Sequence, residues 1–86
     1  MILRFTRKAE KQYRELPSII QKLTDKQLHL LQANLKHPSL RVKRFSVKNP
    51  PDLWQGRINR RFRFYFRITS DGYEIWAIVD HPKKGG

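Results

Sequence analysis

Residues 53–68, with the sequence LWQGRINRRFRFYFRI, constrain the fold more than any other part of the chain. From residue 61 onward, cationic or polar side chains alternate strictly with apolar ones. Successive side chains of a β-strand point to opposite faces of its sheet, so this period of two predicts a half-buried strand. The apolar face belongs against a core, and the cationic face belongs against solvent or a polyanion. The apolar set is Phe62, Phe64, Phe66 and Ile68, and the opposing set is Arg61, Arg63, Tyr65 and Arg67.

The charge of the whole chain favours a polyanionic partner. The 86 residues include 19 Lys and Arg against 7 Asp and Glu, a net charge of +12. Such an imbalance attracts nucleic acid first, an acidic protein second and an anionic membrane surface third. At 38% hydrophobic and 12% aromatic residues, the chain is not a disordered basic tail.

Two absences in the sequence narrow the function classes further. The chain has no cysteine, which excludes disulfides and thiolate metal sites and suits a reducing cytoplasm. No apolar run approaches the roughly 18 residues needed for a membrane span. We therefore expect a cytoplasmic protein that does not cross a membrane.

The N-terminal half predicts a short edge strand over residues 2–5 and an α-hairpin. Thr6 is placed to cap a helix over residues 7–15. Pro17 then breaks the helix, and Ser18 is placed to cap a second helix over residues 19–35. An apolar stripe along that second helix needs a sheet to cover it, and its members are Ile20, Leu23, Leu28, Leu31 and Leu35.

The C-terminal half predicts an antiparallel meander. Strands are expected over residues 40–45, 53–58, 61–68 and 73–79, with a hairpin turn that ends at Gly72. In the last strand one parity is apolar, with Tyr73, Ile75, Ala77 and Val79. The expected fold is a single α+β domain over residues 1–86. It has two layers, with the N-terminal strand and α-hairpin packed on a twisted antiparallel sheet of about four strands.

The open face of this sheet collects groups that bind nucleic acid. Guanidinium groups bind phosphate through paired hydrogen bonds, and exposed aromatic rings stack on unpaired bases. The pattern is compatible with RNA or single-stranded nucleic acid, and also with an acidic protein that covers the face. The candidate residues are Arg41, Lys43, Arg57, Arg61, Arg63, Tyr65, Arg67 and Trp76, with His81 and Lys83 from the tail.

Catalysis on this face would follow a route without metal. The seven carboxylates form no paired motif for a metal-dependent nuclease, so we expect no metal and no other cofactor. An RNA 2′-hydroxyl attacks its own phosphodiester if a base removes its proton and cations stabilise the charged phosphorane. His81 is the candidate base, Arg57 and Arg63 are candidate phosphate ligands, and Tyr65 is a candidate to orient or protonate the substrate.

Three segments together resemble a known family. They are HPSLRVKRF over residues 37–45, DLWQGRINRRFRFYFRI over residues 52–68 and EIWAIVDHPK over residues 74–83. With the Leu-Pro break between two helices, they resemble the RelE/ParE superfamily of toxins from type II toxin–antitoxin systems, and the RelE branch most. The likeness extends over nearly the whole chain.

The resemblance implies a small basic ribonuclease that cuts mRNA, often on the ribosome, by 2′-hydroxyl attack without a metal ion. It also implies a cognate antitoxin with an acidic toxin-binding segment. Arg57, Arg63 and His81 match family site positions, and Lys83 lies near a position where other members carry an arginine. Gln55 stands where some members have a lysine. The alternatives are a ParE-like gyrase inhibitor and an inactive relative that binds RNA or antitoxin.

Overall fold

A computed structural model describes residues 1–45 and 52–80 and has the predicted α+β architecture, with two helices on one face of a sheet. The sheet has five strands in the order β1-β5-β4-β3-β2. In the part of the chain described, no helix is long and apolar enough to cross a membrane. In chain order the elements are β1 Ile2–Phe5, α1 Arg7–Arg14, α2 Ser18–Ala33, a 3-10 turn Pro38–Leu40, β2 Lys43–Arg44, β3 Trp54–Arg57, β4 Phe62–Thr69 and β5 Gly72–Asp80.

The N-terminal strand makes the sheet mixed rather than wholly antiparallel. β1 lies at the edge, as predicted, but it pairs parallel with β5 and so adds a fifth strand. Its start is fixed to the β4–β5 turn, because Ile2 N donates to Asp71 O at 2.8 Å. The Arg4 guanidinium also binds the Asp71 carboxylate through two hydrogen bonds of 3.0 and 3.1 Å.

Helix α1 continues where β1 ends and protects the same edge of β5. Thr6 caps the helix as predicted, since its hydroxyl accepts a hydrogen bond from Ala9 N at 3.1 Å. The same hydroxyl donates to Trp76 O at 3.2 Å, and Ile78 N donates to the side-chain oxygen of Gln12 at 2.8 Å. Side chains of the helix N-terminus and first turns therefore satisfy backbone groups that a bare sheet edge would leave unpaired.

The core lies between the helices and the apolar face of β4. Phe64 and Phe66 have no exposed surface, and Leu31 packs in the same cluster without exposure. The second helix has the predicted apolar stripe from Ile20 to Leu31, but it ends at Ala33, before Leu35, and its predicted cap is wrong. Pro17 occupies the N-cap position, Ser18 is the first helical residue, and no side chain caps this end.

A β-bulge in β5 overturns the predicted alternation of the last strand. Tyr73 and Ile75 are buried as expected, but the pairing shifts from Phe66–Ile75 to Tyr65–Ala77, which leaves Trp76 as an extra residue. Ile78 therefore enters the core with 3% of its surface exposed. Ala77 and Val79 pair with open-face residues of β4 instead.

Gly56 permits the tight packing of Phe64. A Cβ atom at position 56 would lie 2.2 Å from Cζ of Phe64, much closer than two carbon atoms can approach. Phe64 is fully buried and has no free space to move into.

We expect Gly56→Ala to lower the free energy of unfolding by about 1–3 kcal/mol or more, because the added methyl overpacks the core. Urea denaturation followed by circular dichroism measures the loss. The double variant Gly56→Ala/Phe64→Leu should lose less than the sum of the two single variants. If the double variant loses as much stability as the two single variants together, the contact with Phe64 is not what excludes a side chain at position 56.

Candidate nucleic-acid interface

The face of the sheet away from the helices carries polar and cationic side chains in cross-strand pairs. Arg57 of β3 lies opposite Arg63 of β4, and Gln55 lies opposite Tyr65. Lys43 of β2 lies opposite Gln55 on the other side. The alternation in β4 forces this arrangement, because its phenylalanines occupy the core face.

The turn that follows α2 delivers a further arginine to this face. Nδ1 of His37 accepts a hydrogen bond from Ser39 N at 3.2 Å and so caps the 3-10 turn, while Leu40 is fully buried below it. Arg41 ends the turn in the left-handed region, with φ 45° and ψ 45°. For a residue with a Cβ this conformation costs about 1–2 kcal/mol, so the surrounding contacts must hold it in place.

A buried glutamine ties that turn to the end of β3. The side-chain nitrogen of Gln27, in α2, donates to Arg57 O at 2.8 Å and to Ser39 O at 3.2 Å. Gln27 is only 6% exposed. The sequence analysis did not predict this positioning residue. The available signal was that Gln27, a polar residue, lies beside the apolar stripe of α2.

Four arginines, Arg41, Arg57, Arg60 and Arg63, form what we call the arginine cluster. The pKa of Arg57 is lowered, first by partial burial and then by the positive charges of Arg41, Arg63 and Arg60. Among the described residues, which include every Asp and Glu, no carboxylate forms an ion pair with the cluster. The ion pairs lie elsewhere: Arg4–Asp71, Arg14–Glu10, Arg44–Asp52 and Arg61–Asp80.

The guanidinium of Arg63 is held in one orientation. Its Nη1 donates to three carbonyl oxygens of the β3–β4 turn, at 2.6 Å to Asn59, 3.1 Å to Phe62 and 3.2 Å to Arg60. An arginine has five N–H donors, so donors remain for a ligand after these bonds are made. A cation fixed before the ligand arrives loses little free energy to reorganisation.

Tyr65 is oriented by its neighbours at the centre of the face. Its hydroxyl oxygen accepts a hydrogen bond from the side-chain amide of Gln55 at 2.9 Å. Its ring packs edge-to-face against Phe45, with the ring centroids 4.9 Å apart. Because the hydroxyl accepts from Gln55, its own proton is free to be donated to a ligand.

Two further predicted site residues, Arg61 and Arg67, do not join the cluster. Arg61 binds Asp80 and lines a groove with residues of both helices, so it does not follow the alternation expected for the open face. Arg67 lies on the open face at the far end of β4, beside Trp76. His81 and Lys83 lie outside the described residues. Within residues 1–45 and 52–80, no three His, Asp or Glu side chains are grouped to hold a metal ion.

Comparisons with known proteins identify the fold. No family model matches the sequence, and no curated protein matches it. Among solved structures, a YoeB/ParE toxin from Agrobacterium tumefaciens matches with a TM-score of 0.78 at 15% identity, over 95% of this chain and 100% of that one. The chain has the RelE/YoeB toxin fold.

Two further structures with the RelE/YoeB fold are from toxin–antitoxin complexes. A RelE–RelB complex from Pyrococcus horikoshii matches with a TM-score of 0.75 at 12% identity, over 94% of both chains. The complex RelBE2 from Mycobacterium tuberculosis matches with a TM-score of 0.71 at 21% identity, over 93% of this chain and 95% of that one. The expectation of a RelE-like fold is confirmed.

The arginine cluster predicts a specific response to anions. Inorganic phosphate should raise the melting temperature of the protein more than chloride at equal ionic strength, because ligand binding stabilises the folded state. Arg57→Gln should reduce this phosphate-dependent rise and should itself cost little stability, since it removes like-charge repulsion. Lys22→Gln on α2 is the matched control. An equal rise in Arg57→Gln and Lys22→Gln would contradict the assignment.

The hydrogen bonds of Gln27 to the turn and to β3 predict that stability and phosphate binding are lost together. Gln27→Leu leaves two carbonyls without their donor and should lower the free energy of unfolding by about 1–3 kcal/mol. It should also reduce the phosphate-dependent rise in melting temperature, because Arg41 and Arg57 are no longer held together. Gln32→Leu, which removes one hydrogen bond from the same helix to Met1 O, is the control. Loss of stability with an unchanged phosphate response would limit Gln27 to a structural role.

Proposed function

We propose that this chain is a metal-independent endoribonuclease toxin that cleaves mRNA and is neutralised by a cognate antitoxin. The observation that carries the proposal is the arginine cluster. Arg57 and Arg63 are cross-strand neighbours, the charges of Arg41 and Arg60 also act on Arg57, and no carboxylate among the described residues pairs with any of the four. Like charges held together in this way are costly unless an anion binds between them. A phosphodiester is the anion that suits planar guanidinium donors best.

The cluster supplies the charge stabilisation that the reaction needs. Arg57 and Arg63 bind the non-bridging oxygens of the scissile phosphate, and their attraction grows as the phosphorane gains negative charge. Arg63 is oriented by its bonds to the turn carbonyls before RNA binds. Arg41 and Lys43 contact the flanking backbone, and Arg61 and Lys83 are weaker candidates for the same task.

The proton transfers are assigned to two further residues. His81 removes the proton of the 2′-hydroxyl, and the 2′ oxygen then attacks phosphorus. The bond to the 5′ oxygen breaks, and this oxygen takes a proton from Tyr65, whose hydroxyl Gln55 orients. The products are a 2′,3′-cyclic phosphate and a 5′-hydroxyl end. No metal takes part, and the RNA is bound free or on the ribosome.

The proposed protein partner is an antitoxin with an acidic toxin-binding segment. Two observations support it: the net charge of +12, and the likeness to toxins whose structures were solved in complex with antitoxins. Acidic side chains placed on the arginine cluster would occupy the position of the RNA phosphate. Antitoxin binding and RNA cleavage are therefore expected to exclude each other.

A ParE-like gyrase inhibitor on the same fold is the second candidate, since one structural neighbour is described as a YoeB/ParE toxin. Inhibition by protein binding needs neither a base nor a fixed phosphate site. A DNA supercoiling assay separates the two functions. Gyrase inhibition without RNA cleavage would replace the proposal, and RNA binding without either activity would indicate an inactive relative.

Purified protein should cleave an mRNA fragment in the presence of EDTA. His81→Ala should slow cleavage by about 10²–10⁴-fold and Arg63→Gln by about 10²–10³-fold, the usual effects of losing a general base and a charge-stabilising donor. Tyr65→Phe should also slow it. Gel electrophoresis of end-labelled RNA measures the rates.

Matched substitutions on the helix side control for the histidine and tyrosine changes. His29→Ala and Tyr13→Phe should cleave at the wild-type rate, because His29 is exposed on α2 and the Tyr13 hydroxyl binds Asp25. Absence of cleavage by the folded wild-type protein, with and without ribosomes, would refute the proposed function.

A further inference from the structure

An apolar groove of about 500 Å³ continues the open face beyond the arginine cluster. Apart from Lys8, its lining is aromatic or aliphatic, with Phe45, Leu53, Tyr65, Trp76 and Val79 among its residues. We call it the aromatic groove. The bulge in β5 creates it, because the extra residue allows both Trp76 and Ala77 to line the same side. One end adjoins the cluster, since Val79 pairs with Arg63.

An unpaired cation lies at the other end of the groove. The guanidinium carbon of Arg67 is 5.9 Å from the ring centroid of Trp76. Its cross-strand partner is Glu74, but that carboxylate accepts a hydrogen bond from the Trp76 indole at 2.9 Å and forms no ion pair with Arg67. Nε of Arg67 is the one buried side-chain nitrogen or oxygen without a hydrogen-bond partner in the described part of the chain.

The spacing of these features along β4 suits a single-stranded polyanion with unpaired bases. Arg63 and Arg67 are four residues apart on one face, which is about 13 Å along a strand. A stacked nucleic-acid strand rises about 3.4 Å per nucleotide, so only an oligonucleotide of several residues reaches both arginines. Between them lie the rings of Tyr65 and Phe45, the latter with 44% of its surface exposed.

We propose that the aromatic groove and Arg67 form a second RNA subsite, which stacks an unpaired base and binds its phosphate a few nucleotides from the phosphate held by the arginine cluster. The inference rests on the proposed function. Cations at both ends and aromatic rings between them match the alternation of phosphate and base in single-stranded RNA. An acidic peptide offers the charge but not the flat rings, and a duplex hides its base faces.

Trp76 fluorescence tests the stacking directly. The chain has two tryptophans, so Trp54→Phe leaves Trp76 as the only one. The probe is a 2′-O-methylated uridine octamer, which keeps bases and phosphates but has no attacking hydroxyl. The octamer should quench Trp76, whereas polyphosphate and poly-L-glutamate should not. Equal quenching by poly-L-glutamate would assign the groove to an acidic peptide, and bound octamer without quenching would overturn the subsite.

Two surface variants test the subsite in the otherwise wild-type chain. By fluorescence anisotropy, Phe45→Leu should weaken binding of the octamer about five- to hundredfold, the range for losing one base–aromatic stack. Arg67→Gln should reduce the slope of log affinity against log salt by about 0.7, the loss of one phosphate contact. Both should bind the 2′-O-methylated uridine dinucleotide like wild type, because it reaches only the cluster. Lys22→Gln is the charge-matched control.

The outcomes separate this inference from the proposed function. If both variants match the Lys22→Gln control in octamer affinity and in salt slope, the subsite is refuted, even if the protein cleaves RNA. If binding follows the expected pattern but the protein does not cleave RNA, the subsite is supported and only the proposed nuclease activity is refuted.

Discussion

The burial of Phe64 and Phe66 beneath the helices is the interaction on which the rest of the structure depends. Both rings have no exposed surface, and together they fix which face of β4 belongs to the core. Because side chains alternate along a strand, this choice places Arg63, Tyr65 and Arg67 on the open face. Gly56 removes the one side chain that would obstruct Phe64 from β3. The hydrophobic core and the cationic face are therefore two consequences of one alternating segment.

Repulsion between the cations of the open face lowers the stability of the folded state, and specific contacts offset this loss. The pKa of Arg57 is lowered first by partial burial and then by repulsion from the neighbouring guanidinium groups. Gln27 holds the two backbone segments that carry Arg41 and Arg57, and the turn carbonyls hold Arg63. The repulsion thus stays in the folded molecule, where a bound anion would relieve it. In the proposed function, such a site would bind the phosphate most strongly when it carries most charge, as in the transition state of transfer.

Local patterns in the sequence predicted the parts of the fold that depend on local physics. The period of two in residues 61–68 predicted β4 and the buried face of Phe64 and Phe66, but Arg61 pairs with Asp80 and Ile68 is 44% exposed. Thr6 was predicted as a helix cap because its hydroxyl is close to the first helical N–H groups. The cap predicted for Ser18 was wrong, because Pro17 takes that position. A cap is decided by backbone angles at one residue, which composition alone does not fix.

Contacts between distant segments were not predictable in the same way. The parallel pairing of β1 with β5 joins residues about seventy positions apart, and nothing in either strand encodes its partner. The bulge at Trp76 inserts one residue, which reverses the faces of Ala77 and Val79 without altering the sequence pattern. Gln27 acts through two backbone carbonyls, and backbone groups leave no signature in the sequence. The pairing of Arg61 with Asp80 likewise depends on the turn before β4.

In the proposed reaction, the arginine cluster holds a phosphodiester while the adjacent 2′-hydroxyl attacks it. The most direct measurement uses an RNA with one 2′-deoxy nucleotide at the cleavage position, incubated with the protein in EDTA, with mass spectrometry of the product ends. We expect 2′,3′-cyclic phosphate ends from the unmodified RNA and no cleavage at the 2′-deoxy position. Cleavage that persists at the 2′-deoxy nucleotide, or that yields 3′-hydroxyl ends, would contradict it.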